Sequence, residues 1–226
     1  MSGFNSLKFK AKDLLIDSNS SINIYIMNFL SIDCSTDVGS LFVKTKNKTF
    51  IKNLQSDKSN NDLLMKQIID FFSENNLKFE NISKIFANQG PGNFSGLRGS
   101  LAVAKGLSLA KNLDLFGYNT FLWSCSKFNN DKYVYSLIKF RSKYYVKKFD
   151  KTLKNISNIK EVTEIDILKN YEDKFKVVPK NISISFDKRI LNLKNLKIVD
   201  LDHNELENLQ KKGLLDERFI KPFYLS

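Results

Sequence analysis

Two short segments hold the residue types that bind phosphate. Asp33-Cys34-Ser35-Thr36-Asp37-Val38-Gly39-Ser40 follows an apolar run and opens a hairpin pattern. A carboxylate at a strand end, followed by small hydroxyl residues, can hold a metal-bound nucleotide phosphate when backbone amides approach the phosphate closely, which glycine permits best. Here Ser35 and Thr36 stand at the tight positions, so the phosphate loop of Asp33, Ser35 and Thr36 reads as vestigial. An ordinary Asp/Ser/Thr turn at a strand end accounts for the same residues. The second segment is Gly90-Pro91-Gly92-Asn93-Phe94-Ser95-Gly96-Leu97-Arg98-Gly99. Glycines around Pro91 force a sharp turn, Ser95 is placed to cap a following helix, and free amides beside Arg98 suit an anion. The segment lacks the Gly-Lys-Ser/Thr of a P-loop and is not a dinucleotide-binding fingerprint.

Metal chemistry is poorly supplied. His203 is the one histidine, so no His-x-x-x-His pair of a metallopeptidase can form. With Asp200, Asp202 and Glu205 around it, it reads as a solvated helix start. Cys34 and Cys125 lie far apart, as in a reducing compartment.

These segments need strands and helices to hold them. Phe29 to Asp33, Gly39 to Thr45 and Thr49 to Leu54 read as strands, with Lys46, Asn47 and Lys48 turning the second into the third. Leu64, Ile68, Phe71 and Phe72 recur at helical spacing within Asn61 to Asn75. A strand follows at Ile82 to Asn88, a helix from about Ser95 to Lys111, and a strand at Leu115 to Tyr118. That alternation predicts an α/β architecture with its later strands parallel. In the helix, Gly99, Ala102, Gly106 and Ala110 form one stripe and Leu97, Leu101, Ala104 and Leu107 another. Glycine inside a helix costs about 1 kcal/mol relative to alanine, so two of them ask for a packing reason. Either the domain's own sheet or a partner can supply it.

The second half is less regular. Tyr133 to Phe140 and Lys143 to Phe149 form a hairpin about Arg141 and Ser142, and Glu164 to Tyr171 and Asn204 to Lys212 read as helices. Phe175 to Val178, Ile182 to Phe186 and Leu196 to Val199 are expected as strands.

The 226 residues carry a net charge of +12, and 42% are hydrophobic, which favours a packed globular chain. The charge would attract a polyanion such as tRNA. Abundant Lys, Asn, Ile and Phe are equally what AT-rich coding sequence produces, and the lysines form no long basic run. Residues 1–26 read as an extension, with Met27 as an alternative start. Lys8, Lys10 and Lys12 precede the apolar stretch Ile22 to Ile32, but Asn23 and Asn28 interrupt it and no small-residue cleavage site follows. The expectation is a soluble cytoplasmic protein with no membrane partner.

The opening Asn28 to Thr36, the loop Gly90 to Arg98 and the trailing Leu101-Ala-Val-Ala-Lys-Gly-Leu107 together resemble the TsaB family, also called YeaZ. Arg141 with Tyr144 and Tyr145 is similar to the family's Asp-Ala-Arg-x-x-x-Val-Tyr hairpin, with Phe140 where a small residue is usual. Pro222 to Leu225 resembles its closing Pro-x-Tyr-Leu-Arg, with Ser226 in place of the arginine. The likeness is strong over about Met27 to Leu122.

The resemblance implies an actin-like/ribonuclease H-like (ASKHA) fold of two sub-domains, 27–122 and 123–226, each a mixed sheet flanked by helices. It implies a non-catalytic scaffold for a TsaD-like subunit, which transfers a threonylcarbamoyl group to N6 of adenosine 37 in tRNAs reading codons that begin with A. A TsaE-like ATPase completes that complex. The complex uses ATP and Mg2+, this chain binds no cofactor tightly, and tRNA is reached through the complex. Homodimers form by a related surface. Docking would fall to the helices at Asn61 to Asn75 and Ser95 to Lys111, through Leu64, Ile68, Phe72, Ser95, Arg98, Ala102 and Gly106. Many family members carry a histidine where this chain has Asn60 and Asn61, so no role of that histidine transfers.

A scaffold should lack catalytic equipment, and TsaD-like members hold their metal with a histidine pair that this sequence cannot build. The rival reading is a small kinase or ATPase of the same superfamily, with Asp33 on magnesium and Thr36 or Ser40 near the phosphates. A stand-alone RNA-binding protein is the third. Against it, the aromatic residues lie in apolar runs and carry no RNA-recognition signature.

Overall fold

The computed structural model describes residues 28–36, 38–55, 63–128, 133–217 and 220–225. The expected extension 1–26, the start at Met27, and Asp37, Asn60, Asn61 and Ser226 lie outside the described residues.

The chain forms two five-stranded mixed sheets. In the first, β1 (Phe29–Asp33), β2 (Val38–Lys44) and β3 (Thr49–Gln55) make an antiparallel meander. Then α1 (Leu64–Glu74) leads to β4 (Lys84–Asn88), and α2 (Phe94–Lys111) leads to β5 (Asp114–Tyr118). Both of these strands run parallel to β1, giving the order β3-β2-β1-β4-β5. The central β1 and β4 are buried along their whole length, as strands covered on both faces must be.

The second half repeats the plan. After α3 (Thr120–Cys125), β6 (Val134–Phe140), β7 (Lys143–Phe149) and β8 (Lys160–Val162) form a second meander. Then come α4 (Glu164–Asn170), β9 (Lys176–Pro179), the short α5 (Lys180–Ser183) and α6 (Lys188–Leu191), β10 (Leu196–Val199) and α7 (Glu205–Lys211). The order is β8-β7-β6-β9-β10, so the two halves share one topology. The last helix of each half crosses over. Trp123 and Cys125 of α3 join a core with Val134, Ile138 and Val177 of the second sheet, and Leu206 and Leu209 of α7 join the same core beside Phe29, Phe42 and Phe86 of the first. One apolar cluster therefore spans both sheets.

Two sequence expectations change. Ile182 to Phe186 is not a strand. Pro179 caps a single helical turn, and Ser185 and Phe186 then donate their amides to Ile182 and Ser183 in tight turns, leaving Ile184 in solvent. Asn93, not Ser95, caps α2, because its side-chain oxygen accepts the Ser95 amide at 3.2 Å.

Candidate functional site

The loop of Asp33, Ser35 and Thr36 and the glycine loop meet at the carboxyl ends of β1 and β4. Asp33 is buried, and its Oδ1 accepts the Ser35 amide at 2.9 Å and the Asn88 side-chain amide at 3.0 Å. Burial pushes the Asp33 carboxyl up from its ordinary value, against the pull of those hydrogen bonds. Cys34 next to it is pushed up to about 12, first by burial and then by the Asp33 charge. The Asn88 side-chain nitrogen also lies 3.2 Å from Ser35 Oγ and 3.1 Å from Thr120 Oγ1, while its oxygen accepts the Gly90 amide at 2.9 Å. An amide thus stands beside the carboxylate, with β1, β4 and α3 tied to it.

No room for a phosphate separates the two loops. The Asn93 amide donates to the Ser35 carbonyl at 2.8 Å. A Cβ on Gly92 would lie 1.9 Å from that same oxygen, and one on Gly96 would lie 2.4 Å from the Cys34 carbonyl oxygen. The glycines here seat one backbone on another. Thr36 turns outward from this contact, its hydroxyl donating to the Val38 carbonyl at 2.9 Å.

The seven residues expected at a partner surface divide by helix. On α1, Leu64, Ile68 and Phe72 are buried in the chain's own core with Ile32, Val43 and Ile85. That corrects their expected role, because the periodic apolar stripe of α1 faces the first sheet. The apolar side chains that α1 and its first turn leave in solvent are Leu63 and Ile69, which lie off that stripe. The four residues named on α2, Ser95, Arg98, Ala102 and Gly106, are exposed, with Lys105, Leu109 and Ala110 beside them. Leu109 is 84% exposed, and a Cβ on Gly106 would meet nothing within 4 Å. Leu97, Leu101, Ala104 and Leu107 take the buried side. Arg98 does not reach an anion site. Its guanidinium lies 4.4 Å from the Phe94 ring centroid, and Phe94 stacks on Tyr224 at 5.2 Å. Sequence reading missed Phe94 and Tyr224, although an aromatic residue opening a helix was the available signal.

His203 also departs from expectation. It is buried, not a solvated helix start, because the turn before α7 lies on the first sheet. Its ring stacks on Phe42 at 4.8 Å, its Nδ1 lies 3.0 Å from Ser31 Oγ, and its Nε2 lies 3.2 Å from Ser40 Oγ. Burial lowers its pKa to about 4, with Asp202 pulling the other way. A histidine lowered from 6.5 to about 4 withholds a proton that the unfolded chain accepts, so stability is full above about pH 6.5 and falls as pH drops toward 4. We expect that loss to reach about 3 kcal/mol, read as urea midpoints across the window. The difference between wild type and His203→Gln isolates this histidine from Asp33, and identical slopes would refute the assignment.

Among the described residues no three His, Cys, Asp or Glu side chains group as metal ligands, and no helix is long and apolar enough to cross a membrane.

Comparisons with known proteins agree with this geometry. The family described as "TsaD: tRNA N6-adenosine threonylcarbamoyltransferase" matches residues 55–133. The tRNA threonylcarbamoyladenosine biosynthesis protein TsaB of Buchnera aphidicola subsp. Baizongia pistaciae (strain Bp) is 36% identical over 90 residues, 39% of this chain and 40% of that protein. The matched segment thus spans well under half of the curated relative's length. Two solved structures share the fold. YeaZ from Pseudomonas aeruginosa superposes with a TM-score of 0.66 at 15% identity, covering 88% of this chain and 100% of that one. A protein described as similar to peptidase YEAZ from Pseudomonas aeruginosa gives 0.66 at 14%, covering 89% and 100%.

Two mixed sheets of one topology, flanked by helices and sharing one apolar cluster, define an α/β protein with the fold of YeaZ from Pseudomonas aeruginosa. Within that fold, the chain is similar to TsaB over 39% of its length.

Proposed function

We propose that this chain is the non-catalytic scaffold subunit of the complex that transfers a threonylcarbamoyl group to N6 of adenosine 37 in tRNAs reading ANN codons. Its task is to bind and activate a TsaD-like catalytic subunit in the cytoplasm, with a TsaE-like ATPase as the third component. ATP and Mg2+ serve the complex, tRNA is reached through it, and in isolation the same face pairs two copies of this chain.

One observation carries the reading. α2 turns Ala102, Gly106 and Ala110 to solvent beside a bare Leu109, so a second helix can approach its backbone closely. A helix that faced only water would gain about 1 kcal/mol from alanine at Gly106. The loop pair supports the non-catalytic part, because its backbones touch where an active relative of this fold needs space for phosphate. The rival small ATPase predicts micromolar ATP binding with steady turnover by the purified chain.

The test is co-purification of the chain with a TsaD-like subunit, followed by threonylcarbamoyl transfer assayed with and without it. Gly106→Arg and Ala102→Arg should leave the circular dichroism spectrum unchanged and lower partner affinity at least about a hundredfold, as central interface substitutions do. Transfer should fall in step. Wild-type co-purification by both variants would refute this docking face.

A further inference from the structure

A groove of about 750 Å³ opens where β6, β7 and β9 meet, away from α2 and from the loop pair. Its walls carry rings and ammonium groups together. Tyr133 is 54% exposed, and Lys148 Nζ lies 3.7 Å from its ring centroid and 5.6 Å from that of Tyr135. Phe128 and Phe175 meet edge to face at 5.2 Å and also line the groove.

Among the described lining residues the charge balance is positive. Lys127 is bound to Asp202 at 2.9 Å. Asp173, the acid in the lining, interacts with the buried ammonium of Lys176. Lys148 and Lys174 have no ion-pair partner among the described residues. Exposed rings stack on nucleobases whatever their identity, and unpaired ammonium groups attract the phosphates between them. A duplex keeps its base faces covered, and an acidic peptide would match the lysines but leave the rings unused. The sequence hid this surface because its aromatic residues come from three separate runs, which join only when β6 pairs with β7 and β9.

We propose that this groove binds an unpaired segment of RNA, with a nucleobase stacked on Tyr133 and phosphates beside Lys148 and Lys174. The choice of RNA over single-stranded DNA rests on the role in tRNA modification proposed above. The groove itself does not depend on that role.

The test is fluorescence anisotropy of the full chain, without partners, against a labelled oligouridine of about ten nucleotides, repeated over a range of salt. Tyr133→Ala should weaken binding roughly tenfold to a hundredfold, the loss of one stacked base. Lys148→Ala should make the slope of log K against log salt shallower by about 0.7, one phosphate contact on a single strand. Lys46→Ala, in the exposed turn between β2 and β3, should bind like wild type. Absence of binding overturns the proposal, as does an equal loss in Lys46→Ala and Tyr133→Ala, which would indicate diffuse charge. Polyglutamate that binds as tightly as RNA and is lost with Tyr133→Ala also overturns it. Oligothymidine bound as tightly as oligouridine would overturn the choice of RNA. Partner docking is not measured here, so failure of the scaffold reading and failure of the groove are read separately.

Discussion

Replacing Lys176 with methionine should lower the unfolding free energy by about 3 kcal/mol or more, because it takes the ammonium donor from the part-buried carbonyls of Glu172, Lys174 and Lys194. The side chain is fully buried at the start of β9. Its ammonium lies 2.6, 2.8, 2.7 and 2.9 Å from the carbonyl oxygens of Tyr171, Glu172, Lys174 and Lys194, four acceptors that share its three N–H groups. Burial lowers its pKa, and the carboxylates of Asp173 and Glu172 oppose that shift. Three of those carbonyls belong to the turn after α4 and one to the turn before β10, so a single charge fastens both connections to the sheet. The repeat supplies its own control. Lys84 opens β4 as Lys176 opens β9 and is also buried, but among the described residues its ammonium makes one hydrogen bond, to Gln210 Oε1 at 3.1 Å, and lies near the faces of Phe86 and Phe116. Lys84→Met should therefore cost only about 1 kcal/mol. Urea midpoints of the two variants decide the matter, and equal losses would mean that the carbonyl cage is not what Lys176 contributes.

The second large effect belongs to the loop pair. Gly92→Ala should destabilise the protein by about 3 kcal/mol or more, since its methyl group would have to displace the Ser35 backbone carbonyl, 1.9 Å away. Side chains can yield to such a contact, but this backbone is pinned by the Asn93 amide on its carbonyl and by Asp33 Oδ1, which accepts its amide. Gly106→Ala is the opposite case. Its methyl group meets only solvent, so helix propensity alone should raise stability by up to about 1 kcal/mol. Thermal unfolding of both variants tests the pair, and a neutral Gly92→Ala would show that the loops are free to part.

Much of the architecture could be read from residue order, because its signals are local. β1, β2 and β3 alternate or run apolar between clear turns, and the buried stripe of α2 has helical spacing. Where a segment is buried on every side, that signal vanishes. α3 buries all six of its residues, Thr120 to Cys125, so no polar face marks its period. Its one cue was Asn119, whose side chain caps the helix by accepting the Leu122 amide. Ile182 to Phe186 misled in the other direction, since isoleucine and serine alternate there with strand period although Pro179 starts a helical turn. The shared topology of the halves lay beyond periodicity altogether, because it resides in which strands pair and not in matching residues.

The candidate site was legible in part for the same reason. Ala102 and Gly106 are small in a helix whose other side is leucine-rich, and that asymmetry needs no partner to be noticed. Leu64, Ile68 and Phe72 form an equally clear stripe, but periodicity cannot say whether the body it faces is the chain's own sheet. His203 was the least legible. Acidic neighbours suggested water, while Ser31, Ser40 and Phe42, which enclose it, stand more than 160 positions away.

The exchange of terminal helices between the halves bears on how the polypeptide matures on the ribosome. The face of β1 and β2 that holds Ser31, Ser40 and Phe42 leaves the ribosome more than 160 residues before its cover, which runs from His203 through α7. Over that interval the face must stay bare or be shielded by a chaperone, and a nascent chain halted before α7 would display it as a sticky surface.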